Sequence, residues 1–210
     1  MPAIRNVIFD LGGVLLDWSP QRILEELYQD AESRLAMHEA VFRHPDWRAF
    51  DRGTISENEL LANLATRTGR RLDDLSALLS AIRHSLVAKD DTVAVLRRLH
   101  ARGVPLYCLS DMPAPIFEFV RGRYDFFDMF RGIVVSGQVK LMKPEREVFQ
   151  HLLQRFELRA DETVFVDDRM PNLEGARSVG LHTIHFCDAE VCELAILAGL
   201  HAAASQTGGL

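Results

Sequence analysis

Short apolar runs recur along the chain and are separated by segments with helical periodicity. Five of these runs are rich in β-branched or aromatic residues and have the length typical of strands that are buried on both faces. They lie at residues 6–9, 106–110, 132–136, 163–167 and 182–186. Strands that alternate with helices form parallel sheets with right-handed crossovers. The pattern therefore predicts an α/β fold with a parallel five-stranded sheet flanked by helices.

Glycine and proline residues delimit the helices predicted between these strands. The predicted helices are 91–102, ended by Gly103; about 144–156, with Pro144 at its first position; and about 172–179, ended by Gly180. Each follows or precedes a predicted strand, as a crossover helix should.

The stretch between the first two predicted strands is too long to be a single crossover. Apolar residues recur at helical spacing after Ser19, a capping-box sequence occupies residues 56–59, and residues 72–84 are again periodic. We therefore expect residues 18–88 to form a helical insertion, resembling a four-helix bundle, that lies above the sheet.

The composition is that of an ordinary globular protein. Hydrophobic residues make up 48% and charged residues 26% of the 210 positions, which excludes disordered, collagen-like and disulfide-scaffold classes. The net charge of −6 argues against a nucleic-acid partner or a membrane surface. The three cysteines, Cys108, Cys187 and Cys192, are too few for a disulfide framework, so we expect a cytoplasmic protein.

Polar residues lie where the predicted strands end. Asp10, Ser110 and the pair Asp167–Asp168 each close a strand, and Lys143 precedes the predicted 144–156 helix. Ligands of open parallel sheets bind beyond the carboxyl ends of the strands. Carboxylates suit Mg²⁺, while a hydroxyl and an ammonium group suit phosphoryl oxygens. An ionised aspartate beside such a metal is also a possible nucleophile toward phosphorus.

Four segments resemble the ordered motifs of the haloacid dehalogenase-like (HAD) hydrolase superfamily. They are FDLGGVLLD (9–17), LSD (109–111), MKPE (142–145) and FVDDRMPNLEGA (165–176). The 18–88 insertion falls where that family carries its helical C1-type cap. The resemblance implies a Rossmann-like hydrolase core formed by residues 1–17 and 89–210, with the cap at 18–88.

The resemblance also implies roles for the matched residues. Asp10 matches the nucleophile, which forms an aspartyl-phosphate or aspartyl-ester intermediate. Ser110 matches the hydroxyl that binds the phosphoryl group, with Asp111 beside it in the same substrate-binding segment. Lys143 matches the ammonium group that neutralises charge on nucleophile and substrate.

A Mg²⁺ site is implied in the same way. Asp168 matches the direct metal ligand, and Asp167 is a second ligand or supports the first. Asp10 and the backbone carbonyl of Gly12 complete the expected set of protein ligands. Gly12 also belongs to the expected substrate-binding loop.

Two positions depart from the motifs of most family phosphatases. Gly12 replaces an aspartate that protonates the leaving group, and Asp111 replaces the more usual asparagine. Without that acid, the enzyme should favour good leaving groups. A flat dependence on the leaving group would indicate that another acid has taken over, with Asp17 and Asp51 as candidates. The Gly-containing loop resembles that of a sugar-phosphate phosphatase branch, of the glucose-1-phosphate type.

The function expected from these features is Mg²⁺-dependent hydrolysis of a small phosphorylated metabolite, preferably a sugar phosphate, by a monomer or homodimer. A 2-haloacid dehalogenase is one alternative, although the Asp167–Asp168 pair would repel an incoming acid and family dehalogenases usually carry an aromatic residue where this chain has Gly12. A non-catalytic binding or regulatory protein is another alternative, supported by Gly12 alone.

Two further groups of residues have competing interpretations. Trp47, Arg48, Phe50, Asp51 and Arg52 are candidate specificity determinants, or a helix end whose aromatic residues pack inside the insertion. His182, His185, Cys187 and Cys192 offer a zinc alternative. Strand alternation places the two histidines on opposite faces, which disfavours zinc.

Overall fold

The structure, a computed structural model, describes residues 4–207. Its centre is a single five-stranded sheet in which every pair of neighbouring strands is parallel, in the order β3-β2-β1-β4-β5. The strands are β1 Asn6–Phe9, β2 Leu106–Ser110, β3 Gly132–Val135, β4 Thr163–Asp167 and β5 His182–His185. The sheet predicted from the apolar runs is confirmed.

Burial follows position in the sheet. Every residue of β2 and β4 is buried, and in β1 only the first residue is partly exposed, whereas the edge strands β3 and β5 are more accessible. Central parallel strands are covered on both faces, so a continuous apolar sequence is favoured there. Strand β1 pairs directly with β4 in parallel. The strand ends that carry Asp10 and Asp167 therefore lie side by side.

Eleven α-helices surround the sheet in the described part of the chain. They are α1 Pro20–Leu27, α2 Ala31–Val41, α3 Pro45–Arg52, α4 Glu57–Thr68, α5 Leu72–Ser85, α6 Asp90–Ala101, α7 Ala114–Arg121, α8 Ser136–Val139, α9 Arg146–Arg155, α10 Met170–Arg177 and α11 Ala189–Thr207. Short 3-10 helices occupy Asp125–Met129 and Ala160–Glu162. None of these helices is both long and apolar enough to cross a membrane.

Several predicted boundaries differ from the structure by one to two residues. The helix predicted from Pro144 begins at Arg146, because residues 142–145 form a turn closed by a hydrogen bond from the Glu145 amide to the Met142 carbonyl, 2.9 Å long. The helix predicted at 172–179 begins earlier, at Met170. The third strand ends before Ser136, which instead begins α8.

Helices α1 to α5 lie between β1 and the first helix of the sheet region, α6, within the predicted 18–88 insertion. Helix α1 packs on α2 and α5, while α4 packs on α2, α3 and α5. Helix α3 also contacts α8, and α5 contacts α7. One apolar cluster runs through these helices to one face of the sheet, and a second lies on the opposite face beneath α9 and α10.

Candidate active site

The loop after β1 forms a compact turn that presents Asp10. The Leu11 carbonyl accepts hydrogen bonds from the amides of Val14, Leu15 and Leu16, and the Leu11 amide donates to Asp10 Oδ1 over 2.7 Å. The Lys89 ammonium donates to the Gly13 carbonyl over 3.0 Å. These bonds fix the loop, and with it the Asp10 carboxylate, at the carboxyl end of the central strand.

Lys143 joins the ends of β1 and β4. Its Nζ lies 2.8 Å from Asp10 Oδ1 and 2.8 Å from Asp167 Oδ2, and all three side chains are buried. The 142–145 turn carries this lysine, and Gly175 of α10 lies against it. A Cβ on Gly175 would fall 2.3 Å from the Pro144 carbonyl oxygen, so only glycine permits this close approach.

Burial and charge oppose each other in this cluster. Burial raises the pKa of Asp10 well above its ordinary value, against the lowering effect of the Lys143 ammonium. Burial alone would lower the pKa of Lys143, but the carboxylates of Asp10, Asp167 and Asp111 outweigh it and raise that pKa. Lys143 is therefore a fixed positive charge beside the candidate nucleophile.

Asp167 and Asp168 differ in their surroundings although they are adjacent. Asp167 is fully buried, and its oxygens accept hydrogen bonds from Lys143 Nζ, from Asn172 Nδ2 and from the Arg169 amide, all at 2.8–3.0 Å. Asp168 is partly accessible, and burial and the Asp167 carboxylate raise its pKa. The protein holds Asp167 in place, whereas the Asp168 carboxylate is available to a ligand.

The donor set suits Mg²⁺. Carboxylate oxygens of Asp10, Asp167 and Asp168 lie within 4.8 Å of one another. Hard oxygen ligands of this type are those that Mg²⁺ prefers. Lys143 is the one ammonium group bonded to these carboxylates in the described part of the chain, so three carboxylates face one positive charge. A divalent cation would offset the excess.

Of the expected substrate-binding residues, Gly12, Asp111 and Lys143 line the cavity over Asp10, and Ser110 does not. Ser110 ends β2 and is buried, but it does not line the cavity. Asp111 lines the cavity, and its Oδ1 accepts a hydrogen bond of 3.1 Å from the Lys143 amide. Burial raises the pKa of Asp111, against the lowering effect of Lys143.

A cavity of about 590 Å³ opens over Asp10, Gly12 and Lys143. Its wall is largely apolar. Trp18 stacks on Trp47 with ring centroids 6.1 Å apart, and Phe42 meets both rings edge-on at 5.9 and 5.0 Å. The other apolar lining residues are Ile82, Leu86, Met112, Ile116 and Met142 with five prolines, Pro20, Pro45, Pro113, Pro144 and Pro171.

The five residues at the end of α3 that were candidate specificity determinants divide into residues that line the cavity and residues that do not. Trp47, Arg48 and Asp51 line the cavity. Phe50 is 2% exposed and packs in the core, with its ring 6.0 Å from that of Trp47. Arg52 lies outside the cavity and forms a double hydrogen bond with Glu145 of the sheet region.

Three contacts hold the end of α3 against the sheet region. The Ser136 hydroxyl donates to the Asp51 carbonyl over 2.5 Å, and Arg52 pairs with Glu145. Gly53, with φ of 76°, lies so close to α8 that a Cβ would fall 2.3 Å from the Gly137 carbonyl oxygen. Asp51 is therefore fixed over the strand ends.

Several residues of the site were not predicted from the sequence. Asn172 holds Asp167, Lys89 holds the Asp10 loop, Ser136 links the Met112 amide to the Asp51 carbonyl, and Arg169 lines the cavity. Asn172 and Arg169 lie within the 165–176 motif, which could have suggested them. Lys89 and Ser136 carry no local signal, because their partners are distant in sequence.

The four zinc candidates do not form one cluster. Cys192 is 2% exposed within the apolar core, and burial raises its pKa to about 12. His185 Nε2 lies 3.0 Å from the Asp168 carbonyl oxygen, and Cys187 Sγ is 3.8 Å from His185 Nδ1. Across the described residues, the Asp10–Asp167–Asp168 group is the one set of His, Cys, Asp or Glu ligands that converges.

Comparison with known proteins assigns the family. The haloacid dehalogenase-like hydrolase family model matches residues 4–180. The chain belongs to this family and is a phosphatase-like hydrolase.

Named relatives include phosphatases. Sesquiterpene phosphatase astK of Aspergillus oryzae is 30% identical over 88% of this chain and 91% of its own. D-ribitol-5-phosphate phosphatase of Bacteroides thetaiotaomicron is 24% identical over 86% of this chain and 90% of its own. An (S)-2-haloacid dehalogenase of Pseudomonas putida is 29% identical over 86% of this chain and 84% of its own.

The fold has solved counterparts. A HAD family enzyme of Bacteroides thetaiotaomicron, crystallised with magnesium and inorganic phosphate, has a TM-score of 0.72 at 23% identity. The match covers 88% of this chain and 95% of that chain. The Rossmann-like core fold predicted from the motifs is confirmed.

Proposed function

We propose that the chain is a Mg²⁺-dependent phosphatase that hydrolyses a small phosphate monoester through an aspartyl-phosphate at Asp10. The observation that carries the proposal is the contact of one buried ammonium group, Lys143, with both Asp10 and Asp167 at 2.8 Å beneath a cavity of about 590 Å³. Such a cluster combines a nucleophile, a fixed positive charge and a metal-ligand set at one point.

The residues of the cluster share the steps of the proposed reaction. An Asp10 carboxylate oxygen attacks phosphorus, and Lys143 orients it and stabilises negative charge on the phosphoryl oxygens. Ser110, the hydroxyl donor expected from the motifs, is buried outside the cavity, so that role stays a prediction. Asp111 positions the Lys143 backbone. Water then hydrolyses the aspartyl-phosphate and regenerates Asp10.

Asp10, Asp168 and the Gly12 carbonyl would hold Mg²⁺, with Asp167 as a further ligand or as the residue that orients the others. When bound, the ion supplies positive charge that favours the ionised form of Asp10 and offsets charge on the phosphate. Asn172 and the Arg169 amide keep the Asp167 carboxylate in place for this purpose.

A 2-haloacid dehalogenase would use the same nucleophile on carbon and needs no metal. The charge of the site argues against it. Asp111, Asp167 and Asp168 lie close to Asp10 with a single ammonium group among them, so these carboxylates would repel the carboxylate of a haloacid placed against Asp10 unless a cation were bound.

The cavity wall supports a substrate whose alcohol portion is mainly apolar. Trp18, Phe42 and Trp47 form a continuous aromatic surface above Gly12, and a Cβ on Gly12 would lie 3.6 Å from Trp18 Cβ. Burial of apolar area is the main source of binding energy at such a surface. A sesquiterpene phosphatase among the relatives is consistent with this class. The sugar-phosphate preference expected from the motifs stays an untested prediction.

We also propose the two-part organisation expected from the sequence. Residues 18–88, with α1 to α5, act as a cap that encloses the substrate, and residues 1–17 and 89–210 carry the chemistry. The support is that Trp18, Phe42 and Trp47 belong to the first part, whereas Asp10 and Lys143 belong to the second. Enclosure excludes water and selects the substrate.

A substrate panel tests the proposal. The purified protein is assayed with aryl phosphates, sugar phosphates and phosphate esters of aliphatic alcohols, each with Mg²⁺ and with excess EDTA, and with 2-chloropropionate as the dehalogenase control. We expect Mg²⁺-dependent release of phosphate and the highest kcat/KM for apolar esters. Full activity in EDTA, or halide release from 2-chloropropionate without phosphatase activity, would overturn it.

A further inference from the structure

Position 12 carries no carboxyl group, so the proton for the leaving oxygen must come from elsewhere in the cavity. Lys143 lines the cavity but keeps its proton, because the neighbouring carboxylates raise its pKa. Apart from arginines, the other titratable side chains that line the cavity are Asp10, Asp51, Asp111 and His44. Asp10 is the proposed nucleophile and cannot serve as the acid in the same step. The choice therefore lies among the other three.

Two of these three have other partners or another expected role in the site. His44 Nδ1 accepts a hydrogen bond from the Asp46 amide, and its Nε2 lies 3.2 Å from Arg67 Nη1, so both ring nitrogens have partners. Asp111 accepts a hydrogen bond from the Lys143 amide, and it directly follows Ser110, the expected hydroxyl donor to the phosphoryl group. Asp51 is the one that reaches the cavity from α3.

Asp17, the other acid considered from the sequence, is directed elsewhere. Its Oδ2 lies 3.6 Å from Arg22 Nη2, its side chain is 41% exposed, and it does not line the cavity. A group that donates to the leaving oxygen must lie within hydrogen-bond reach of the bound ester. Asp17 does not meet this condition.

Asp51 is held firmly although it belongs to the inserted helices. The Ser136 hydroxyl binds its carbonyl, and the residues that follow it contact Glu145 and Gly137 of the sheet region. Asp51 lines the same cavity as Asp10, Gly12 and Lys143, so an ester whose phosphate lies against Lys143 would have its alcohol portion in the space that Asp51 borders.

We propose that Asp51 is the general acid and base of the reaction, an inference that rests on the proposed phosphatase function. As an Asp10 oxygen bonds to phosphorus, the bond from phosphorus to the leaving oxygen breaks, and the Asp51 proton passes to that oxygen to give the alcohol. The Asp51 carboxylate then takes a proton from the water that attacks the aspartyl-phosphate. Phosphate leaves, Asp10 is freed, and Asp51 is protonated again.

The environment of Asp51 suits a proton donor. Burial raises its pKa well above the ordinary value, and the nearby Asp111 carboxylate acts in the same direction. The guanidinium groups of Arg48 and Arg169 and the Trp47 indole oppose this rise without cancelling it. A carboxyl group whose pKa moves toward neutrality is an efficient general acid.

The test compares wild type with Asp51→Asn on a series of aryl and alkyl phosphates of increasing leaving-group pKa. We expect wild-type kcat/KM to depend weakly on leaving-group pKa. In the variant, kcat/KM for alkyl phosphates should fall by about 10²–10⁴-fold, the usual range for loss of a general acid, with little change for 4-nitrophenyl phosphate. Asp46→Asn, on the same helix but outside the cavity, is the matched control. Equal losses on both ester types, or no loss on alkyl phosphates, would overturn the proposal.

The pH profile of the wild type gives a second measurement that does not depend on the variant. The kcat/KM for an alkyl phosphate should fall with rising pH as Asp51 ionises, whereas that for 4-nitrophenyl phosphate should not show this decline. Parallel profiles would contradict the role of Asp51. Failure of the wild type to hydrolyse any phosphate ester with Mg²⁺ would instead contradict the phosphatase function itself.

Discussion

Gly13 packs directly against the Asp168 carboxylate. A Cβ on Gly13 would lie 2.3 Å from Asp168 Oδ2, and the backbone there has φ of 79°. The backbone conformation favours glycine, and any side chain at this position would have to displace the Asp168 carboxylate. The loop that carries the nucleophile and the segment that carries the expected metal ligand are thus in contact without any side chain between them.

This contact predicts the effect of Gly13→Ala. The added methyl group should displace the Asp168 carboxylate and abolish Mg²⁺ binding measured by calorimetry. Gly69→Ala is the matched control, because Gly69 has φ of 67° and open space around its Cβ position. Gly69→Ala should lower the free energy of unfolding by about 1–2 kcal/mol, because alanine disfavours the left-handed conformation, and should leave the Mg²⁺ affinity unchanged. Equal Mg²⁺ affinity of both variants would contradict this account.

The two adjacent aspartates should respond differently to replacement. Asp168→Ala should raise the Kd for Mg²⁺ more than Asp167→Ala does. For Asp167→Ala we expect the Kd to rise about 10–100-fold, which is typical when a residue that orients a metal ligand is lost. Asp167→Ala should also lower thermal stability, because it removes a buried partner of Lys143 and leaves Asn172 Nδ2 unsatisfied. A larger loss of Mg²⁺ affinity in Asp167→Ala would mean that Asp167, not Asp168, is the direct metal ligand.

The aromatic wall should determine which esters are hydrolysed. Trp18→Ala should lower kcat/KM for a phosphate ester of a long aliphatic alcohol by about 10–100-fold, the range typical of lost apolar contact, with a small effect on glycerol phosphate. Leu35→Ala is the control, since Leu35 is 65% exposed and lies outside the cavity. Equal effects of Trp18→Ala on both esters would show that Trp18 does not select the substrate.

The Arg52–Glu145 pair should make stability depend on pH. The hydrogen bond from Arg52 holds the pKa of Glu145 below its ordinary value. The stabilisation is therefore present above the pKa of Glu145 in the unfolded chain and is lost as pH falls through its lower folded value. Glu145→Gln should lower the free energy of unfolding by about 0.2–1 kcal/mol at neutral pH.

Unfolding of Glu145→Gln and wild type is followed by urea titration from neutral to acid pH, with Glu147→Gln, in the first turn of α9, as the control. The difference in the free energy of unfolding between Glu145→Gln and wild type should become smaller at acid pH. A difference that stays constant with pH would indicate that packing, not charge, accounts for it.

The strand ends were predictable from the sequence because short apolar runs followed by polar residues are a local signal. That signal, with the ordered motifs, located Asp10, Lys143 and Asp168. The start of α9 was predicted two residues too early, because the proline signal is the same for a helix start and for the 142–145 turn. The hydrogen bond from the Ser136 hydroxyl to the Asp51 carbonyl joins residues that are 85 positions apart in sequence. No local sequence pattern predicts such a contact.

The most direct test of the account is the chemical identity of the intermediate at Asp10. The enzyme is incubated with 4-nitrophenyl phosphate and Mg²⁺, quenched, and reduced with borohydride, which converts an aspartyl-phosphate to homoserine. Peptide mass spectrometry should find homoserine at position 10 in wild type and none in Asp10→Asn or without substrate. Rapid turnover with aspartate unmodified at position 10, or homoserine at another position, would contradict the assignment of Asp10 as the nucleophile.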